Sequence, residues 1–175
     1  PSRRRHRIIS TALPALRRGS GDFFGIIVLS MIDQQFATWL FNIRSPGLVD
    51  FFSSITQLGG SVLIATLAVI IATILIYQKK RLEMLGLIIT VAGSGASMLA
   101  IKHLIQRPRP VGIAAIVEDS YSFPSGHGTL SMALYGYLIY LLWLTKWSRA
   151  IKICFAILLA VLIILVGFSR LYLGV

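Results

Sequence analysis

The chain has 175 residues, of which 56% are hydrophobic and only 13% are charged, and its mean hydropathy is +0.81. This composition excludes an ordinary soluble domain and makes the bilayer the expected solvent. The formal net charge of +11 comes from short basic clusters between long apolar runs. A nucleic-acid-binding protein gathers such residues on one continuous basic face, so we expect no nucleic-acid partner.

The chain begins with a basic segment, residues 1–22, whose apolar stretch is too short to span a membrane. We interpret it as a cytoplasmic segment that precedes a transmembrane domain over residues 23–175. Four later runs have the roughly 20 apolar residues that about 30 Å of hydrocarbon requires, and a fifth run is weaker because polar residues interrupt it. The four are 61–78, 84–103, 127–145 and 149–169, and the fifth is 23–42. The sequence therefore predicts an all-α, polytopic transmembrane helical bundle with about five spans.

The distribution of basic residues predicts how these spans are oriented. The N-terminal arginines and the basic loops near 79–81 and 146–152 should face the cytoplasm, which requires that 23–42 also cross. The 102–126 region and the end of the last span then share the opposite face. We expect a multi-pass protein of the cell (inner) membrane, in contact with membrane lipids, whose functional site faces the periplasmic or extracellular side.

Basic residues at the exit of the 84–103 span are unexpected on that face. Arg107 and Arg109 each precede a proline, which disfavours the helical conformation and predicts that the helix ends there. Lys102 in the last turn and Arg109 on extended chain could bind an anion from two sides, since both side chains form charge-assisted hydrogen bonds with phosphate oxygens. The alternative is interfacial anchoring by side chains that reach the headgroups.

Two further segments bring phosphate-compatible groups to the same face. Pro124-Ser125-Gly126-His127 starts a span, with Ser125 as a candidate N-cap and Gly126 allowing close approach of a ligand to the backbone. His127 could donate a proton to a departing oxygen, although a histidine at a helix start is more often structural. Arg170 follows Ser169 at the exit of the last span.

Together, these segments resemble the signature of the PAP2 (type 2 phosphatidic acid phosphatase) superfamily of membrane lipid phosphatases. That signature is K-x6-R-P, then P-S-G-H, then S-R-x5-H-x3-D. Lys102 through Arg109-Pro110 matches the first part, residues 124–127 match the second, and Ser169-Arg170 begins the third. Bacterial members of the family act on phosphatidylglycerophosphate or undecaprenyl diphosphate, and the sequence does not choose between them.

The resemblance implies hydrolysis of lipid phosphate monoesters, such as phosphatidic acid, or diphosphates through a phosphohistidine intermediate, with no metal or other cofactor. It assigns catalytic roles to Lys102, Arg109, His127 and Arg170, with His127 protonating the leaving group. The substrate phosphate would be bound by Lys102, Arg109, Ser125, Gly126 and Arg170.

The chain departs from the family pattern in its third part. In the family pattern, three features come after the position of Val175: the nucleophilic histidine, its orienting aspartate and the sixth helix. We therefore expect the 175-residue chain to bind phosphate without catalysing hydrolysis. The alternative function is a catalytically inactive phospholipid-binding or scaffolding membrane protein that retains the phosphate cradle. A transporter is disfavoured because the spans after residue 60 carry no ionisable residue near mid-membrane.

Overall fold

A computed structural model describes residue 35 and residues 38–107 and 121–174. Contacts divide the chain into two units, Pro1–Trp39 and Leu40–Val175, and all the elements below belong to the second unit. Its described residues form the helices α1 (Pro46–Gln57), α2 (Ser61–Tyr77), α3 (Arg81–Ile105), α4 (Gly126–Trp143) and α5 (Arg149–Leu173).

Three stretches of the described chain are long and apolar enough to cross a membrane: Pro46–Tyr77, which contains α1 and α2, and the helices α3 and α5. Only 17%, 11% and 6% of their most apolar windows, respectively, is buried within the protein. Apolar side chains that the protein itself does not cover are those expected to face lipid. The predicted transmembrane helical bundle is confirmed in these elements.

Helix α4 lies at the centre of the bundle and packs against α2, α3 and α5. Its side chains Leu134 and Tyr135 are buried in a core cluster with Ile64, Leu75 and Leu87 of the neighbouring helices. Although α4 was predicted as a span, its sequence is not among the three stretches that length and hydropathy alone identify. The physical reason is its position: a helix that packs against three others can carry glycine, serine and tyrosine where a lipid-facing helix needs apolar side chains.

Helix α1 packs on the C-terminal part of α5. The Phe52 and Tyr172 rings lie 4.6 Å apart and form a second buried cluster with Leu40 and Leu173. Two polar contacts tie the start of α1 to the same place, because Arg44 Nε donates to the Tyr172 carbonyl at 2.8 Å and the Ser45 amide donates to the Tyr172 hydroxyl at 3.3 Å. The end of α5 is therefore held from two directions.

Four of the five predicted spans correspond to α2–α5, with ends that shift by a few residues. The fifth, 23–42, lies mostly outside the described residues, of which 38–42 are helical. The N-terminal segment 1–22 also lies outside them, so its separation from residues 23–175 stays a prediction. Helix α1 was not predicted, and α5 continues beyond the expected end at residue 169 to Leu173.

Candidate functional site

The first component of the site is the C-terminal end of α3. Lys102 lies in its last turn, as the sequence predicted. Its side chain is half-buried. The helix stops at Ile105 because Gln106 adopts a left-handed conformation, φ 47°, and its amide donates to the Lys102 carbonyl at 3.0 Å. Arg109, the other predicted phosphate ligand of this segment, lies outside the described residues.

The chain returns to this helix end just before the second component. The Ser122 amide and hydroxyl both donate to the Arg107 carbonyl, at 2.9 Å and 3.1 Å. Residues 121–124 are thereby fixed beside the end of α3. The start of α4 follows immediately, so the first two motif segments are adjacent in space as well as in chain order.

The N-terminus of α4 has the geometry expected for binding an anion. Ser125 is the N-cap, with φ −70° and ψ 121°, and its Oγ accepts a hydrogen bond from the Gly128 amide at 3.3 Å. Gly126 and His127 form the first turn, where backbone N–H groups and the positive end of the helix dipole favour phosphate. Ser125, Gly126 and His127 are all half-buried, as suits groups that line a site.

The third component is the C-terminal part of α5. Ser169 and Arg170 are 0% and 5% exposed, so the guanidinium group is directed into the protein and not toward lipid. Arg170 Nη1 donates to Thr56 Oγ1 on α1 over 3.5 Å. The sequence placed Arg170 at the exit of the last span, whereas the helix continues for nearly one more turn and carries it inside the bundle.

The turn between α1 and α2 is the place where the second and third components meet. Gly59 is packed so closely that an added Cβ would lie 2.5 Å from Val166 Cγ1 and 3.0 Å from the His127 carbonyl oxygen. Val166 lies one helical turn before Arg170, so the start of α4 and the end of α5 share this contact. The Tyr135 hydroxyl, further along α4, donates to the Leu58 carbonyl of the same turn at 2.6 Å.

Helix α3 joins the site through Met98, one turn before Lys102. A Cβ added to Gly126 would lie 3.6 Å from Met98 Cε. Five of the six predicted site residues therefore lie on three helix ends at one end of the bundle, where the start of α4 contacts both the end of α3 and the end of α5. They are Lys102, Ser125, Gly126, His127 and Arg170.

Thr56 and Gly59 belong to this arrangement but were not predicted as site residues. Thr56 lies in α1 and Gly59 lies in the turn after it, and α1 was not predicted from the sequence. A signal for its start was present, since Ser45-Pro46 combines an N-cap with a proline in the first turn, and Ser45 Oγ accepts from the Leu48 amide at 3.4 Å. Nothing local indicates that Thr56 contacts an arginine 114 residues away.

The described residues contain no group of three or more His, Cys, Asp or Glu that could hold a metal ion. The groups that the site presents are cationic side chains, a hydroxyl and a helix N-terminus. Such groups can bind a phosphate and stabilise negative charge that develops on it.

A family model described as the PAP2 superfamily matches residues 83–175, which is more than half of the chain. The chain belongs to the PAP2 superfamily. The matched region contains α4, α5 and all but the first two residues of α3, and these three helices carry the motif residues. The resemblance stated from the motifs is thus confirmed.

Among PAP2 proteins, the chain is similar to Phosphatidylglycerophosphatase B of Bacillus subtilis (strain 168), with 32% identity over 138 residues. The alignment covers 76% of this chain and 66% of that relative, slightly less than two thirds of the relative's length. The crystal structure of the transmembrane PAP2 type phosphatidylglycerolphosphate phosphatase from Bacillus subtilis matches with TM-score 0.78 and 30% identity, over 85% of this chain and 74% of that one. Aquifex aeolicus LpxE shares the fold, with TM-score 0.58 and 23% identity over 81% of each chain.

Proposed function

We propose that this chain is the membrane domain of a phosphatase that hydrolyses lipid phosphate monoesters or diphosphates on the non-cytoplasmic side of the membrane. The observation that supports this best is that the start of α4, with Ser125–His127, meets two other helix ends. It meets the end of α5, which carries Arg170, at Gly59, and it meets the end of α3, which carries Lys102, where Met98 lies beside Gly126. A site at the end of a lipid-facing bundle can receive a headgroup while the substrate's chains stay in the bilayer.

Each residue has a role that its position and chemistry support. Lys102, Arg109 and Arg170 bind the phosphate and stabilise the charge of the transition state, because phosphoryl transfer depends mainly on positioning and electrostatics. Ser125 and the Gly126 backbone bind the same phosphate at the helix N-terminus, and together these five residues form the phosphate cradle.

The reaction proceeds in two displacements. A histidine nitrogen attacks phosphorus, the P–N bond forms as the P–O bond to the lipid breaks, and His127 gives its proton to the departing oxygen. Water then gives a proton to His127 and attacks phosphorus, the P–N bond breaks, and inorganic phosphate leaves. In the family motif the attacking histidine occupies the position directly after Val175, the last residue of the sequence. No step is assigned to a metal ion.

The test separates binding from turnover. The 175-residue chain, purified in detergent, should bind vanadate or phosphate but release no phosphate from lipid substrates. Extending the chain through the third motif and a final helix should add hydrolysis of at least one lipid among phosphatidylglycerophosphate, phosphatidic acid and undecaprenyl diphosphate. Phosphatidylglycerophosphate is the first to try, given the name of the Bacillus relative.

Substitutions in the extended chain test the assigned roles. His127→Ala and Arg170→Ala should each lower the rate by about 10³-fold or more, the scale typical of catalytic groups. Arg107→Ala is the matched control, because Arg107 lies near the site but outside the motif spacing. Binding without hydrolysis in every extended form would favour the phospholipid-binding alternative. Hydrolysis by the 175-residue chain that His127→Ala abolishes would contradict the role given to His127.

A further inference from the structure

A pocket of about 510 Å³ lies between α3 and α4, outside the phosphate cradle. The residues that line it on α4 lie along one face of that helix, and the two that line it on α3 are one helical turn apart. The lining residues are Thr90 and Ser94 on α3 and Thr129, Met132, Ala133, Gly136, Tyr137 and Tyr140 on α4. Met132 and Tyr140 are 67% and 50% exposed, so the pocket opens toward the outside of the bundle.

Contacts between the two helices fix the depth of this pocket relative to the cradle. Gly126 faces Met98, Gly95 faces Leu130, and Gly86 faces Tyr137, which is the register of antiparallel helices. Ser94 and Thr129 are the neighbours of Gly95 and Leu130, so their side chains lie within about 3 Å of the same level. That level is about 5 Å below Gly126, given a rise of about 1.5 Å per residue.

The hydroxyls at this level are available to a ligand. On α2, Thr66 and Thr73 donate to carbonyls of their own helix, both at 2.8 Å. In contrast, the Ser94 and Thr129 hydroxyls make no hydrogen bond within the part of the chain that the structure describes. A polar group without a partner is costly where lipid replaces water, and polar groups that persist there are commonly functional.

We propose that Ser94 and Thr129 donate hydrogen bonds to an acyl-ester carbonyl of the substrate, and that the pocket below them holds the start of its acyl chain. This inference rests on the proposed function, because it places the substrate phosphate at Ser125 and Gly126. The ester carbonyls of a glycerophospholipid follow its phosphate by one glycerol unit, which matches the level of the two hydroxyls. A polyprenyl diphosphate has its second phosphate near that depth and only hydrocarbon beyond it, with no ester carbonyl, so hydrogen bonds to an acyl ester here would favour a diacylglycerol phosphate over a polyprenyl lipid.

An ester and an ether lipid of equal length distinguish this proposal from simple hydrophobic binding. The 175-residue chain would be mixed in detergent with equal amounts of dioleoyl phosphatidic acid and its dioleyl ether analogue, and bound lipid measured by native mass spectrometry. The ether analogue keeps the phosphate and both chains but lacks the carbonyl acceptors. We expect the ester lipid to be bound about fivefold more, the effect of one or two hydrogen bonds.

Variants locate the source of that preference. The double substitution Ser94→Ala and Thr129→Val should bring the ester-to-ether ratio close to one while leaving binding of the ether lipid unchanged. Thr66→Val is the matched control and should keep the preference, since its hydroxyl bonds to its own helix.

The possible results separate the two proposals. Equal binding of both lipids by the wild-type chain would overturn the inference, whether or not the variants fold. A preference that survives the double substitution would overturn the assignment to these hydroxyls, and equally strong binding of dioleoylglycerol would show that the pocket acts independently of the phosphate cradle. Failure to bind either phosphate lipid, or vanadate, would instead count against the proposed function.

Discussion

Replacing Gly59 with alanine tests whether the helix ends meet as closely as described. The added Cβ would lie 2.5 Å from Val166 Cγ1, 3.0 Å from the His127 carbonyl oxygen and 3.3 Å from His127 Cβ. Val166 is 0% exposed and cannot move without displacing its own neighbours. Overpacking of this kind costs about 1–3 kcal/mol, so we expect Gly59→Ala to destabilise the protein and to shift His127.

Thermal unfolding in detergent measures the first effect. At about 2–4 °C per kcal/mol for a chain of this size, Tm should fall by roughly 2–12 °C. Gly93→Ala is the matched control, because an added Cβ there meets nothing within 4 Å and alanine is the better helix former. An unchanged or raised Tm for Gly59→Ala would refute the close approach of α4 and α5 at this turn.

A double-mutant cycle identifies the atoms responsible. Val166→Ala removes the Cγ1 atom that the new methyl group would strike, although it leaves a cavity and is itself destabilising. Combined with Gly59→Ala, it should lower Tm by less than the sum of the two separate changes, because the new methyl group partly fills that cavity. Because the contact with the His127 carbonyl persists, vanadate should bind more weakly to both Gly59→Ala and the double variant than to the unsubstituted chain. Strict additivity would show that Val166 is not the obstacle.

Three further predictions concern the site and its orientation. Thr56→Val removes the oxygen that accepts a hydrogen bond from Arg170, so it should weaken vanadate binding about fivefold in calorimetry. Thr56→Ser keeps that oxygen and should keep the affinity. Equal affinities in the two variants would show that Thr56 is not a positioning residue. Hydrolysis by the extended chain should persist in excess chelator, and a requirement for added magnesium would overturn the metal-independent mechanism. Reporter fusions near positions 80 and 115 should report cytoplasmic and non-cytoplasmic locations, respectively; a cytoplasmic signal at 115 would contradict the predicted side of the site.

The long helices could be predicted from the sequence because a lipid-facing segment is apolar along its whole length, so an apolar run shows how long the helix is. Helices α2, α3 and α5 are almost continuous apolar runs, so their existence follows from hydropathy alone. The N-cap at Ser125 was equally accessible, since the turn residues that produce it are local. The co-location of the motif residues could be argued only from topology and family resemblance.

What the sequence did not provide depends on contacts between distant residues. Helix α1 has 12 residues, too few for a span, and the rings of Phe52 and Tyr172 that anchor it lie far apart in the chain. The burial of Arg170 likewise depends on Thr56, which no pattern within α5 could reveal. Long-range packing of this kind overrides the local signals that ended α5 at residue 169.

The modest hydropathy of α4 has a consequence for biosynthesis. At the translocon, a segment partitions into lipid according to its own side chains, and three tyrosines, together with histidine and glycine, keep the hydropathy of α4 below that of the spans in α3 and α5. Its favourable contacts arise only when α2, α3 and α5 surround it. We therefore expect α4 to insert more efficiently together with α5, the neighbour that is synthesised after it, than on its own.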